Sequence, residues 1–266
     1  MKLPVLTSSD DNLNSYCNFI EYTCFVDGFM KHSEFDTAES GLRLDDLIAE
    51  LSRRLRLYGS FVPYKLEKNE LISLLPDKEE NLHYFYCLYY AVKGGNSVAF
   101  NTNIFELITD ISLKNYFSTK TSKITSVGVT TTRLKASISV VRKTIKESKG
   151  NYSTIKAATK DGGIDIITYK ALDDRGNQLV CLTDATIGKN WKREKKVIVK
   201  LSRWKDWIHF KVPPITCLSV VHVIDDVDFH SASRDNGLLF DRPRIMRNFT
   251  PEKRLTSTLK NWATTL

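Results

Sequence analysis

Apolar residues recur along this chain with two periods, and the change from one to the other divides it. Leu44, Leu47, Leu51 and Leu55 return every third or fourth residue and predict a helix over 42–57. Asp45 and Asp46 stand early in it and Arg53, Arg54 and Arg56 late, the order that complements a helix dipole. A second helix is expected over 80–92, where HYFYCLYYAV is too aromatic and apolar for a surface position. Those rings belong in a core or against a partner, with stacking on nucleic-acid bases as the functional counterpart. Residues 1–100 therefore read as a mainly helical region, closed by Gly94, Gly95 and Asn96. Further on, Asn103 is a plausible N-cap for a stripe of Ile104, Leu107, Ile108 and Ile111, and Leu134, Ile138, Val141 and Ile145 predict a helix over 133–148.

The period then drops to two. A strand is expected over 164–170, a turn at Asp173, Asp174, Arg175 and Gly176, and a returning strand over 178–186. Alternation puts Val180, Leu182, Asp184 and Thr186 on one face and Leu179, Cys181, Thr183 and Ala185 on the other. Asp184 is thus an acid on a largely apolar face, and Asp165 is the only acid of the first strand. Two carboxylates on two strands of one hairpin suit a hard divalent cation, Mg²⁺ or Mn²⁺. After the hairpin, Trp191, Ile198, Leu201 and Ile208 have helical spacing, with Lys192, Arg193, Lys196, Lys200 and Arg203 above them. Strands over 215–224 and 237–240 extend the sheet, a loop-like segment holds Asp225, Asp226 and Asp228, and 250–266 forms a terminal helix.

Composition adds a partner class. The 266 residues are 42% hydrophobic and 26% charged, which excludes disorder and leaves room for one or two domains. A net charge of +8 favours a polyanion such as nucleic acid. The stretch 189–206 is the densest positive one, and Arg142, Lys143, Lys146, Lys149, Lys156 and Lys160 form a basic approach to the hairpin. Either these are phosphate contacts or they are solvated faces. The five cysteines are scattered in apolar surroundings, as buried reduced thiols would be, and neither a signal peptide nor a membrane span is evident, so a soluble cytoplasmic protein is expected.

From about Phe100 to Arg244 the pattern of DGGID, GKNW, WIHFKVPP and GLLFDRPR resembles the PD-(D/E)XK nuclease superfamily, and within it a group of bacterial nuclease-like proteins. The resemblance implies a restriction-endonuclease-like fold, an α/β (α+β) mixed sheet flanked by helices over 101–266. It implies a metal-dependent endonuclease hydrolysing phosphodiester bonds, DNA favoured, in restriction or anti-phage defence beside a helicase or another subunit. Asp165 and Asp184 take the two acid positions of the motif. Phe105-Glu106 matches a Phe-Glu pair that puts its Glu near the metal; read from periodicity, Glu106 is either that or a solvated surface acid. The motif lysine is replaced by Thr186, whose neutral hydroxyl carries no charge. Either Lys189 or Lys192 reaches back to supply it, or the chain is a weak or inactive nuclease-like subunit that binds nucleic acid or a partner protein. A helix-turn-helix regulator ranks last, because no compact basic recognition helix is present.

Overall fold

The computed structural model describes residues 13–35, 42–68, 70–75, 78–95, 99–123, 130–156, 162–194 and 196–266. Lys160 and the Arg193 side chain lie outside them. The chain is a mixed α/β protein. Helices α1 (Leu13–Asp27), α2 (Leu44–Tyr58) and α3 (Leu82–Lys93) come first, with strands β1 (Phe29–Lys31), β2 (Tyr64–Leu66) and β3 (Glu70–Ser73) between them. These strands form an antiparallel sheet in the order β1-β3-β2, which the sequence pattern did not announce because each strand is only three or four residues long. The helices α2 and α3 fall where periodicity placed them.

The rest is built around a five-stranded sheet. Helix α4 (Ala99–Phe117) leads into β4 (Lys120–Lys123), and α5 (Thr131–Thr144), a short strand β5 (Ser148–Lys149), and β6 (Ile166–Lys170) and β7 (Leu179–Thr186) follow. Then come α6 (Trp191–Glu194), α7 (Val197–Trp207), β8 (Ile208–His209), β9 (Ile215–Val220), α8 (Asp226–Asn236), β10 (Leu238–Phe240), α9 (Arg242–Asn248) and α10 (Lys253–Ala263). The sheet order is β10-β9-β7-β6-β4. β4, β6 and β7 run antiparallel in turn, whereas β7, β9 and β10 are parallel.

Several expected boundaries move. Asn103 lies inside α4, which begins at Ala99. The helix expected over 133–148 stops at Thr144, because Ser148 and Lys149 pair with His209 and Ile208 as a ribbon. The acids at 225–228 open a helix, with Asp225 capping α8 by accepting from the Asp228 amide at 2.7 Å.

The predicted alternation on β7 sorts the core into two layers. Ile166, Cys181 and Cys217 face α4, α9, α10 and the N-terminal helices. Ile167, Tyr169, Val180, Leu182, Leu218 and Val220 face α5 and α7, where Trp204 and Trp207 are fully buried as cover for the sheet. The five cysteines are all buried free thiols, and among the described residues no helix is long and apolar enough to cross a membrane.

A buried polar network ties the two ends of the chain together. Glu21 of α1 is fully enclosed between Arg54 of α2, at 2.8 Å, and Arg242 of α9, at 3.2 Å. Tyr58 and Tyr84 donate to the same carboxylate, and Arg54 also binds Glu50. Burial alone drives the Glu21 carboxyl upward; the Arg242 and Arg54 guanidiniums and their hydrogen bonds reverse this and hold it below the usual carboxylate range.

His83 of α3 sets a pH limit. Its ring stacks on Phe249 with centroids 4.2 Å apart, and burial pushes its pKa down to about 4. A folded pKa below the ordinary value near 6.5 means that the unfolded chain takes up the proton first. Stability is therefore complete above pH ~6.5 and falls as the pH drops toward 4, by up to ~3 kcal/mol from this group. His222, pushed down to about 3 by burial, acts in the same direction. The urea midpoint is expected to fall between pH 7.5 and pH 5, and His83→Phe to flatten that dependence. An unchanged slope in the variant would refute the assignment.

Candidate active site

The register of the hairpin fixes the centre of the site. Ile166 pairs with Thr183 and Ile167 with Leu182, and Asp165, just before the strand, lies beside the segment 183–185 that carries Asp184. The Asp165 amide donates to the Thr183 carbonyl at 2.9 Å, and the Asp165 carboxylate accepts from the Ala185 amide at 2.8 Å. Asp184 is on the face of Val180 and Leu182, as alternation required, and is 2% exposed. Asp184, enclosed on an apolar face, requires a cation from the layer above it.

Lys200 supplies that cation. Its ammonium is ion-paired to Asp184 Oδ2 and donates to the Gly163 carbonyl at 3.0 Å. Among the described residues it is the cation paired with Asp184. The local sequence shows why it reaches. Val197, Trp204 and Trp207 are the buried face of α7, and Lys200 stands between them at helical spacing, so its side chain points at the sheet. Gly162 and Gly163 make room below it, with φ of +70° and +76°. A Cβ on Gly163 would lie 2.7 Å from Lys200 Cδ and 3.0 Å from its Nζ, and a Cβ on Gly162 would meet the Trp207 ring at 2.7 Å. The paired glycines of DGGID are thus the floor on which a lysine from a later helix rests. Gly163→Ala is expected to cost ~1–2 kcal/mol of stability through its left-handed backbone and to displace Lys200. A urea titration checks the first effect, and the second should appear as a loss of whatever activity depends on Lys200.

The remaining sequence-predicted residues are placed as follows. Thr186 turns its hydroxyl to accept from the Gly188 amide at 3.2 Å, finishing the strand. Lys192 is ion-paired to Asp228, and Lys189 is exposed with its stem packed against Gly94, so neither carries the ammonium seen at Asp184. Lys196 pairs with Asp235 at 3.3 Å, Arg142 donates to the Glu147 carbonyl at 3.0 Å, and Lys143 is exposed. The acids of α8 therefore offset part of the basic stretch over 189–206. Glu106 is 2% exposed, which removes the reading of a solvated surface acid. It lies on α4, on the other side of the sheet from α7, and among the described residues no three His, Cys, Asp or Glu side chains gather as a metal-holding group. What the fold brings together is Asp184 and Lys200, with Asp165 bonded to the amide of the next residue, Ala185.

Sequence reasoning placed Lys200 among the phosphate contacts because it took the packed stripe of α7 as Trp191, Ile198, Leu201 and Ile208. Ile198 is 43% exposed, and Trp191 and Ile208 belong to α6 and β8. The signal was present in the alternative stripe of Val197, Lys200, Trp204 and Trp207, a lysine set among apolar positions. Compared with known proteins, the chain matches no family model, no curated protein and no solved structure.

Proposed function

We propose that this chain is a metal-dependent nuclease that hydrolyses phosphodiester bonds of nucleic acid, DNA favoured, on a restriction-endonuclease-like scaffold. The observation that carries the proposal is the seat of Lys200 on Asp184, at the end of the hairpin where Asp165 accepts from the Ala185 amide. It puts two acids and a lysine at one end of a hairpin even though the residue at the end of the triplet is Thr186. The order of elements supports the scaffold: helix α4, three antiparallel strands β4, β6 and β7, helix α7, and β9 parallel to β7. A role in bacterial restriction or anti-phage defence, in the cytoplasm and beside a helicase or other subunit, rests on the sequence resemblance.

The donor set fits Mg²⁺ or Mn²⁺, since both acids offer hard oxygen atoms. When bound, such an ion supplies charge neutralisation at the phosphate and an acidified water. The chain's own residues do the rest. Asp165 and Asp184 hold negative charge at one point of the sheet, and the hydrogen bond from the Ala185 amide fixes the orientation of Asp165. Lys200 places a positive charge where negative charge develops on the phosphate oxygens in the transition state. Its second hydrogen bond, to the Gly163 carbonyl, keeps it there once nucleic acid arrives.

The second reading, an inactive nuclease-like subunit that binds nucleic acid or a partner, has one observation in its favour. The Lys200 ammonium occupies an oxygen of Asp184 that a divalent cation would otherwise use. The two readings part in a cleavage assay with Mg²⁺ or Mn²⁺ on linear, circular and single-stranded DNA and on RNA. The nuclease reading expects cleavage by the wild type and none by Asp165→Ala. Binding without cleavage under every metal and substrate selects the second.

A further inference from the structure

At the turn end of the β6–β7 hairpin, on the side of the sheet covered by α5 and α7, the chain builds a basic shelf. After α5 the backbone reverses through Lys146 and returns as β5, which pairs with β8 at the end of α7. Glu147, 4% exposed, ties this ribbon to the hairpin turn, because its carboxylate accepts from the Asn177 amide at 3.0 Å and from the Lys211 amide at 3.3 Å. A Cβ on Gly176 would collide with the Lys146 carbonyl and would lie 3.1 Å from Lys211 Nζ. Ribbon and turn are therefore one closely fitted piece.

Lys143, Lys146, Lys149 and Lys211 are exposed on it. None of the four is ion-paired among the described residues, and the Lys149 ammonium lies 5.0 Å over the Tyr152 ring. Lys192 and Lys196, by contrast, are matched by Asp228 and Asp235. Of the acids nearby, Glu147 is spent on the two amides and Asp173 on Arg175. Exposed Asp174 and Asp206 face the four lysines and the exposed Lys205, so the excess is positive. Lys146 adds a separate observation. Its φ is +59° and its amide donates to the Lys143 carbonyl at 3.2 Å, just past the helix end, where glycine is usual. A lysine is strained there relative to glycine, and what it adds is a positive charge.

We propose that this shelf binds the phosphate backbone of duplex nucleic acid a few base pairs away from the cleaved bond. The proposal rests on the nuclease reading for its partner class and names the surface and the form of substrate. The shelf lies on the face of the sheet that carries Asp184 and Lys200. From Lys200 to Trp207 along α7 is about 10 Å, and from Asp165 to Lys170 along β6 about 17 Å. At 3.4 Å per base pair that reach is roughly three to five base pairs. A single strand would be held by bases stacked on open aromatic rings. Here Trp204 and Trp207 are fully buried and the Tyr152 ring is covered by Lys149, so the shelf offers charge without a stacking platform.

The test is fluorescence anisotropy of the full chain with a labelled duplex DNA and with one of its strands, in EDTA so that no cleavage occurs, over a series of KCl concentrations. Saturable binding, tighter for the duplex, is expected. The fourfold variant Lys143→Gln, Lys146→Asn, Lys149→Gln and Lys211→Gln keeps a residue that tolerates the left-handed backbone at 146. It is expected to weaken duplex binding at least about tenfold and to reduce the slope of log K against log[KCl] by about 3–4, with the melting temperature unchanged. Lys143→Gln with Lys149→Gln, which leaves the packing at Gly176 intact, should reduce the slope by about 2. Lys65→Gln, on the N-terminal sheet, should change neither quantity. No binding by the wild type, wild-type affinity and slope in both variants, or tighter binding of the single strand overturns the proposal. Cleavage that survives alongside such a result leaves the nuclease reading standing. A wild type that binds through the four lysines and never cuts refutes that reading and leaves the shelf in place.

Discussion

Lys200→Met is expected to lower metal-dependent cleavage by about 10²–10³-fold while leaving nucleic-acid binding in place, because one preorganised positive group that stabilises transition-state charge is worth that much. The effect is specific to this lysine. Lys192 is bound to Asp228, so Lys192→Ala should leave the rate of the bound complex close to wild type. Removing Lys200 also strips Asp184, 2% exposed, of its ion-pair partner. Some loss of stability therefore accompanies the loss of rate. Single-turnover rates at saturating protein, measured beside urea midpoints, separate the two, and Lys200→Arg distinguishes charge from geometry. Full activity in Lys200→Met would remove the lysine from the mechanism.

Glu21→Ala is expected to be the most destabilising single change in the N-terminal region, at about 3–5 kcal/mol. It leaves the Arg54 and Arg242 guanidiniums, both completely buried, facing each other without the carboxylate that lies between them. Glu50 still pairs with Arg54, so Arg242 is the group left without an anion. The double variant Glu21→Met with Arg242→Met should recover much of the loss, since matched removal of a buried pair is far cheaper than removal of one partner. Lowering the pH repeats the experiment without mutation. The Glu21 carboxyl is held below the usual carboxylate range, so its contribution is present above the unfolded value and disappears as the pH falls through the folded one. Equal destabilisation by the single and double variants would show that the network contributes packing and no charge balance.

The hairpin, the faces of β7 and the helices α2 and α3 were legible because each depends on local periodicity that burial then respects. Val180, Leu182 and Asp184 share a face for the same reason in the sequence and in the fold. The strands β1 to β4 were not legible: β4 reads KTSK, without an apolar residue to reveal alternation, although it pairs with β6 over its whole length. Helix α8 was hidden by acids that look like a loop. Their actual work is a cap at Asp225 and ion pairs from Asp226 to Arg53 and from Asp228 to Lys192, partners that lie 36 to 173 residues away. The site divided in the same way. Asp165 and Asp184 follow from one hairpin, whereas Lys200 depends on which side of α7 meets the sheet, a question of tertiary packing. Arg242 belongs to the GLLFDRPR pattern, but its acid, Glu21, is 221 residues distant, and no local pattern links them.

The link between Glu21 and Arg242 also determines how the chain behaves if it is cut. A backbone break between residues 95 and 99 would yield two pieces, and the larger would retain the hairpin, Lys200 and both acids. That larger piece would also carry Arg242 with its counter-ion on the other fragment, so it is expected to stay unfolded when expressed alone. Mixed together, the two pieces should assemble as an obligate heterodimer and regain whatever activity the intact chain has, the smaller half working as a folding subunit for the half that carries Lys200 and the two acids.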